Sequence, residues 1–546
     1  MSFITQKNII SNISPKIRAG TAVLAARASP APSASRDESK LNSFKKTKPI
    51  FMRFFDNRTR VLTGDAFFVS TLVLANFLIR IHRFGHPISD FRETQTAFGV
   101  RSILRNGMSI FRADIPVFGP PWKLPLEFPL FQYCAAVIAK IFGIDEVQSS
   151  LITATIFFLA SGVALFILVR IISESATARI TLILYLFSAY GLHFGTRVSI
   201  EFTAVFFLLL ALISILKYFD VGQSRYLFFL FISGALGSLV KITTAVPWIM
   251  VGISLVILTS KKLFWVKIFC FCVSFTSIFI GLLWSQYADS IKDQNPHTRF
   301  LKSENLRGFI FGSIRQRLDP AFWRIQFFEI FETTVGNFLL GVVLVLMALV
   351  FSRSRSFALI CGAVFLSGPL LFSNLYRHEY YLNAVWPALV YIFALAVHTM
   401  WSYAKLPRLS LSKLHLSFLT AFGLVFLSFI SYPGTELMRS FLPTEIVSKY
   451  PVLSEVSEHT NSDDNVILIA NDWTPSYLYM IDRKGLMLLP DGVRPDKSEL
   501  GTIYKFVYWV DIETKPTVND WENYFPTGIN YETVTDQLFR IFPVSG

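Results

Sequence analysis

The sequence predicts an α-helical polytopic membrane protein of about eleven spans with a small C-terminal α/β soluble domain, and three observations carry that prediction. The 546 residues are 53% hydrophobic and 15% aromatic but only 16% charged, against roughly 25% charged residues in soluble domains. Apolar runs of bilayer-crossing length recur as far as residue 432. Beyond Pro443 apolar density falls and short strand and helix patterns take over. A single soluble core is excluded.

Residues 1–60 form a basic tail of Ser, Ala, Pro, Lys and Arg without apolar periodicity, the composition of a disordered cytoplasmic segment. No acid precedes Asp37, so an organellar transit peptide fits the same residues. The membrane domain, 61–432, opens with Ala66 to Ile81, which leads straight into a large loop, 83–127, and lacks the cleavage pattern of a secretory signal. Phe128 to Phe142 is apolar but shorter than the roughly 20 residues a span needs, so it reads as a helix on the membrane surface. Spans then follow at about 149–170, 179–195, 200–218, 226–241, 245–260, 263–286, 333–351, 357–375, 384–401 and 415–432. In the C-terminal domain, 433–546, Thr444 to His459 and Pro475 to Ile481 read as helices. Val466 to Ala470, Leu486 to Leu489, Phe506 to Val510 and Leu538 to Phe542 read as strands. The four cysteines, Cys134, Cys270, Cys272 and Cys361, lie in apolar segments without CxxC or Cys/His spacing, and so read as packing residues.

A net charge of +14 would suit a nucleic-acid binder, but the cations concentrate in the tail and in short connections between apolar runs. Alternate connections hold Lys45, Lys46 and Lys48; Arg170 and Arg179; Lys217 and Arg225; Lys261 and Lys262; Arg353 and Arg355; and Lys405, Arg408 and Lys413. That is the positive-inside distribution, so no nucleic-acid partner is expected and these connections belong in the cytoplasm. The first loop, the Gly191 to Glu201 turn, the break at Lys241, the Tyr287 to Glu332 loop, the Asn374 to Asn383 turn and the C-terminal domain then all face outward. Were Phe128 to Phe142 a span, the basic clusters would move outside, and the charge pattern argues against it.

The polar residues on this outer face are the candidate site. Asp90 and Glu93, three apart with Ser89 or Asp90 as N-cap, would share a helix face, where a carboxylate can accept a proton from a hydroxyl or hold a cation; capping and a contact with Arg92 are the plainer reading. Glu127 precedes the surface helix, which a charge interaction with the helix N-terminus would also explain. Glu201 stands where a span begins, and pairing with Arg197 would account for both. Lys241, Arg377 and His378 are placed to contact an anionic phosphate, although Lys241 at a break could equally snorkel. Trp122, among Pro116, Pro120, Pro121 and Pro125, reads as a sugar platform ahead of an interfacial belt; Tyr380 and Tyr381 read either as pocket residues or, with Trp386, as that belt. No metal cluster, Gly-rich phosphate loop, GxSxG or HExxH is present.

The series SDFRETQTAFGVRSILRNG, LEFPLFQYCAAVIAKIFG, RVSIEFTAVFF, LVKITTAVPW and RHEYYLNAVWP resembles, in order and sidedness, the GT-C glycosyltransferases, specifically the protein O-mannosyltransferases and the lipid A aminoarabinose transferase, over roughly residues 60–400. The family's first-loop motif is usually an adjacent Asp-Glu pair, whereas here the acids are Asp90 and Glu93, so either answers to its catalytic acid. Glu127 matches the glutamate before the surface helix, and Glu201 the second outer acid, more usually Asp. The resemblance implies transfer of a sugar from a polyprenyl-phosphate carrier to a lipid, glycan or protein acceptor, with Asp90 or Glu93 as base and Glu127 and Glu201 shaping the site. Arg92, Arg197, Lys241, Arg377 and His378 would hold the phosphate and Trp122, Tyr380 and Tyr381 the sugar or acceptor; no cofactor is implied beyond a possible divalent cation. The alternative is a transporter or flippase of lipid-linked saccharide, which should scatter polar residues at mid-membrane depth and show broken helices or inverted repeats. A scaffolding protein would leave the first-loop acids replaceable.

Overall fold

Capping side chains fix where several of the apolar runs start, and glycines where they stop. The computed structural model describes residues 58–88, 90–111, 114–352, 354–404, 456–470, 472–489, 492–510 and 516–543. The tail over 1–57, the span at 415–432, the cations from Lys405 to Lys413 and most of the helix expected over 444–459 lie outside the described residues, as do Ser89, Arg112 and Arg353.

Helix α1 is Arg58–Arg80. Asp90, in extended conformation, caps α2 (Phe91–Asn106) by accepting the Arg92 backbone N–H at 2.9 Å. Helix α3, Leu130–Phe142, ends at Gly143 in the left-handed region. Its 13 residues rise only about 20 Å. Asp145 caps α4, Glu146–Ile172, whose 27 residues rise about 40 Å and exceed the hydrocarbon thickness. The bundle continues with α5 (Ser175–Phe187), α6 (Ala189–Phe194), α7 (Glu201–Val221), α8 (Arg225–Val240), α9 (Ile242–Thr259) and α10 (Phe264–Lys292). It closes with α11 (Pro320–Val335), α12 (Phe338–Phe351), α13 (Arg355–Leu371) and α14 (Trp386–Ala404). Five described helices are long and apolar enough to cross a membrane, or six if α11 and α12 count as one span.

Three expected spans are interrupted. The run 179–195 breaks at Ser188, which ends α5 and caps α6 by accepting the Gly191 N–H. The run 333–351 breaks near its start at Gly336, at φ 72°, and Asn337, which accepts the Leu340 N–H; together they turn the chain by 88° between α11 and α12. Pro247, which has no N–H to give, opens a π-helical stretch to Ile253 inside α9. The bundle core is built on α7, against α4 and α8, and on α14, against α5, α12 and α13. Phe202, Leu208, Val390 and Phe393 are fully buried there.

The C-terminal domain is a five-stranded sheet in the order β2-β1-β3-β5-β4, with β1 Asn465–Ile469, β2 Gly485–Leu488, β3 Tyr504–Trp509, β4 Tyr531–Thr533 and β5 Leu538–Ile541. β1 is parallel to β2 and β3, and β5 antiparallel to β3 and β4. Helices α15 (Pro475–Met480) and α16 (Val518–Tyr524) accompany it. The short, exposed β4 is an element the apolar pattern did not signal. The first loop adds an edge to this sheet: Gly485 and Met487 donate to the Pro116 and Val117 carbonyls, and Gly119 donates back to Gly485. Gly119 sits at φ 73°, with a Cβ there meeting the Tyr504 hydroxyl, so only glycine fits. Arg101 of α2 bonds Glu146, the Tyr479 carbonyl and Asp482, whose carboxylate also takes two bonds from Arg105. The domain is thereby fastened to the helix that carries Asp90 and Glu93.

Candidate active site

The break between α8 and α9 leaves Lys241 in extended conformation, and its side chain enters the protein at 5% exposure. A buried ammonium needs counter-charge. It finds Glu127 Oε1 at 2.6 Å and Glu201 Oε1 at 3.4 Å. Glu201 Oε2 accepts the Ser199 hydroxyl at 2.8 Å, and Ser199 Oγ in turn accepts from Asn383. Glu201 therefore pairs with Lys241; Arg197 instead approaches Asp90, with Nη1 3.7 Å from Oδ2.

Arg92 completes the cluster. Its Nη2 donates to the Tyr381 hydroxyl at 3.0 Å, its Nε to the Tyr380 hydroxyl at 3.3 Å and its Nη1 to Gln95, while Nη1 also lies 3.8 Å from Glu127. A phenol that accepts from a cation keeps its own proton to donate outward. Burial pushes the Tyr380 hydroxyl up to about 12 against the pull of Arg92, so it is a proton-bearing donor at neutral pH. Burial alone would raise the Glu127 pKa, but the charges of Lys241 and Arg92 and the Lys241 bond hold it down at about 2. Glu127 is thus a fixed anion and a weak base.

These groups stand at one wall of a cavity of about 750 Å³. Asp90, Arg92, Glu127, Lys241, His378, Tyr380 and Tyr381 line it, together with apolar surface from Leu239, Trp284, Phe300 and Phe309. A small hollow of about 30 Å³ adjoins the cluster between Glu127, Glu201, Gln132 and Lys241. The two first-loop acids part company here: Asp90 lines the cavity, whereas Glu93 turns into the protein, where its Oε1 accepts the Val198 N–H at 3.1 Å. Burial raises the Glu93 pKa, outweighing the nearby Arg197.

Three other sequence candidates differ from expectation, two in place and one in charge. Arg377 is exposed and lines neither cavity. His378 lines the large cavity, but burial, Arg92 and Arg377 lower its pKa, so it offers a neutral imidazole in place of a cation. Trp122 lines neither cavity and packs against Tyr504 in the C-terminal domain, its ring 6.5 Å away. The cavity also takes Gln95, Lys292, Asp472 and Trp473, which sequence reasoning missed. Lys292 ends an otherwise apolar helix, a signal that was available; Asp472 and Trp473 carry no local signal of where they dock. Among the described residues no group of three or more His, Cys, Asp or Glu is arranged to hold a metal ion.

Residues 123–284 match the model of the dolichyl-phosphate-mannose-protein mannosyltransferase family. A sequence comparison with curated proteins gives no match. Among solved structures the chain is similar to ArnT from Cupriavidus metallidurans bound to undecaprenyl phosphate, at TM-score 0.55 and 12% identity over 88% of this chain and 98% of that one. It is similar to the oligosaccharyltransferase AglB from Archaeoglobus fulgidus in complex with an inhibitory peptide and a dolichol-phosphate, at TM-score 0.55 and 13% identity over 82% and 70%. The arabinofuranosyltransferase AftD from Mycobacteria gives TM-score 0.53 and 12% identity over 85% of this chain and 37% of that one. The chain has the GT-C fold that its motif order implies.

Proposed function

We propose that the protein is an integral-membrane glycosyltransferase that moves a sugar from a polyprenyl-phosphate carrier to an acceptor on the outer face. The observation that carries this is Arg92, bonded to the Tyr380 and Tyr381 hydroxyls, standing with the buried Lys241 at the wall of the large cavity. Cations and outward-facing O–H donors are what a phosphate needs as it departs with the electrons of the broken anomeric C–O bond. Asp90 is the base: its carboxylate takes the proton of the acceptor hydroxyl as that oxygen attacks the anomeric carbon from the opposite side, inverting it. Glu127 and Glu201 hold Lys241 protonated and in place, and Glu93 holds the turn at Val198. Polyprenyl-phosphate relatives of the same fold, ArnT with undecaprenyl phosphate and AglB with dolichol-phosphate, support the choice of donor.

The eleven-span count, the surface position of α3, the cytoplasmic tail and the outward C-terminal domain belong to the same proposal, supported by the alternation of basic connections. So do the tail, membrane and C-terminal divisions at residues 60 and 432. A transporter should carry broken helices and polar groups at mid-membrane depth; helices do break, at Ser188, Lys241 and Gly336, but the second criterion is not met. Here the charged cluster gathers at helix starts and breaks, at Asp90, Glu201 and Lys241.

The test is sugar transfer from radiolabelled polyprenyl-phosphate sugars in membranes, with variants at matched expression. Asp90→Asn is expected to lower transfer about 100-fold or more with donor still bound, and Glu93→Gln to retain it. Equal transfer by wild type and Asp90→Asn would refute the assignment of the base. Because Arg92 and Lys241 supply the positive charge, transfer is expected to persist in EDTA; loss on chelation and recovery with Mg²⁺ would place a divalent cation at the phosphate.

A further inference from the structure

The geometry points to an acceptor subsite on the C-terminal domain, built from Trp473 and Asp472, that takes a neutral sugar unit of a glycan acceptor; the inference rests on the transferase reading above. Both residues come from the turn that leads into α15, and both line the large cavity. The Trp473 ring centroid lies 4.7 Å from that of Phe91, the residue between Asp90 and Arg92, and 5.4 Å from Phe118 of the first loop. This tryptophan thus packs on the residue next in sequence to Asp90, whose carboxylate takes the acceptor proton and lines the same cavity.

The position is held from both sides. Thr94 of α2 and Ser476 of α15 share a hydrogen bond of 2.8 Å, and Arg101 joins Asp482 at 2.9 Å. The turn cannot drift from Asp90 without breaking these contacts.

Its chemistry is that of sugar recognition. A half-buried indole offers an apolar face for the C–H side of a pyranose ring. Asp472 uses Oδ1 to accept the Trp473 backbone N–H at 2.8 Å, is exposed, and makes no ion pair among the described residues, so its second oxygen is available to hydroxyl donors. An anionic acceptor group would be repelled by that carboxylate. A peptide backbone in extended form would find no sheet edge here, because the first loop already occupies the free side of β2. Arg92 and Lys241 line the cavity from α2 and the α8–α9 break, Lys292 lines it from the end of α10 already paired with Asp289, and Trp473 lines it from the domain, which leaves the acceptor hydroxyl between them, beside Asp90.

The test uses the full chain in lipid nanodiscs on an array of neutral oligosaccharides, anionic oligosaccharides and Ser/Thr-containing peptides, with thermal stabilisation by a polyprenyl phosphate measured in parallel. Wild type is expected to retain neutral oligosaccharides. Trp473→Ala is expected to weaken retention about tenfold, Trp473→Phe to recover part of the loss, and Asp472→Asn, on an exposed side chain that folding does not need, to weaken it as well. Stabilisation by polyprenyl phosphate should be the same in all four proteins. Unchanged retention in Trp473→Ala and Asp472→Asn, or retention of peptides or anionic glycans in place of neutral ones, would overturn the subsite. Failure of polyprenyl phosphate to stabilise wild type would sink the transferase reading instead, and the glycan arms would still decide whether Trp473 and Asp472 bind sugar.

Discussion

Lys241 is a cation that two carboxylates keep buried, so its removal leaves Glu201 with the Ser199 hydroxyl and Glu127 with only the more distant Arg92. Breaking such a group from one side costs about 3 kcal/mol or more. Lys241→Met is therefore expected to lower the melting temperature in detergent markedly, and adding Glu127→Gln to recover part of the loss; equal melting of wild type and the single variant would show the cluster to be solvated. The pH sign follows from Glu127, whose pKa falls from an ordinary 4.5 to about 2. Its contribution is fully present above 4.5 and is lost as pH falls from there toward 2. Acid melting curves of wild type and Glu127→Gln should converge across that window. Glu93 has the opposite shift, so its charge opposes folding at neutral pH and Glu93→Gln is expected to melt no lower than wild type. The residue types of this site were legible in the sequence; their directions were not. Asp90 and Glu93 are three apart and read as sharing a face, but an N-cap residue is extended and turns its carboxylate back toward the first turn, while Glu93 is helical and follows the buried side.

At the scale of elements, α2 joins the site to the C-terminal domain through Arg101, which sits between Glu146 at 2.7 Å and Asp482 at 2.9 Å and stacks over Tyr479 at 3.9 Å. Arg101→Ala leaves both carboxylates without that cation and frees the Tyr479 carbonyl. Amide exchange over residues 91–106 is expected to rise, with transfer falling through misplacement of Asp90; unchanged exchange would mean that packing alone docks the helix. Most helices and four of the strands were readable because apolar period, caps and glycines agree there. The strand pattern found β1, β2, β3 and β5 to within about two residues. The 88° turn at Gly336 and Asn337 escaped because an unbroken apolar run follows at once, and hydropathy averaged over a span hides a cap at its edge. The edge that the first loop adds to β2 escaped because Pro116, Gly119 and Pro120 read as turn.

Across the whole molecule, charge and apolar surface divide along one axis. One end of α4 carries Glu146 in the C-terminal clamp, and the other carries Arg170, which with Arg179 holds the buried Asp65. Between them the outward faces are apolar, with Phe228, Phe264, Trp265 and Phe279 more than half exposed, as lipid contact requires. The cavity, the first loop and the C-terminal domain share one end, and Lys261 and Lys262 follow the C-terminal end of α9. A bilayer that keeps basic connections in the cytoplasm then has one orientation open to this chain. An impermeant maleimide should label Thr527→Cys, in an exposed turn of the C-terminal domain, in intact cells above the level of the parent protein, and Lys261→Cys only after permeabilisation. The reverse pattern would put the cavity on the cytoplasmic side. There the donor would no longer have to cross the membrane before transfer, and the positive-inside argument would have failed for every connection at once, because the two ends are tied by the same helices.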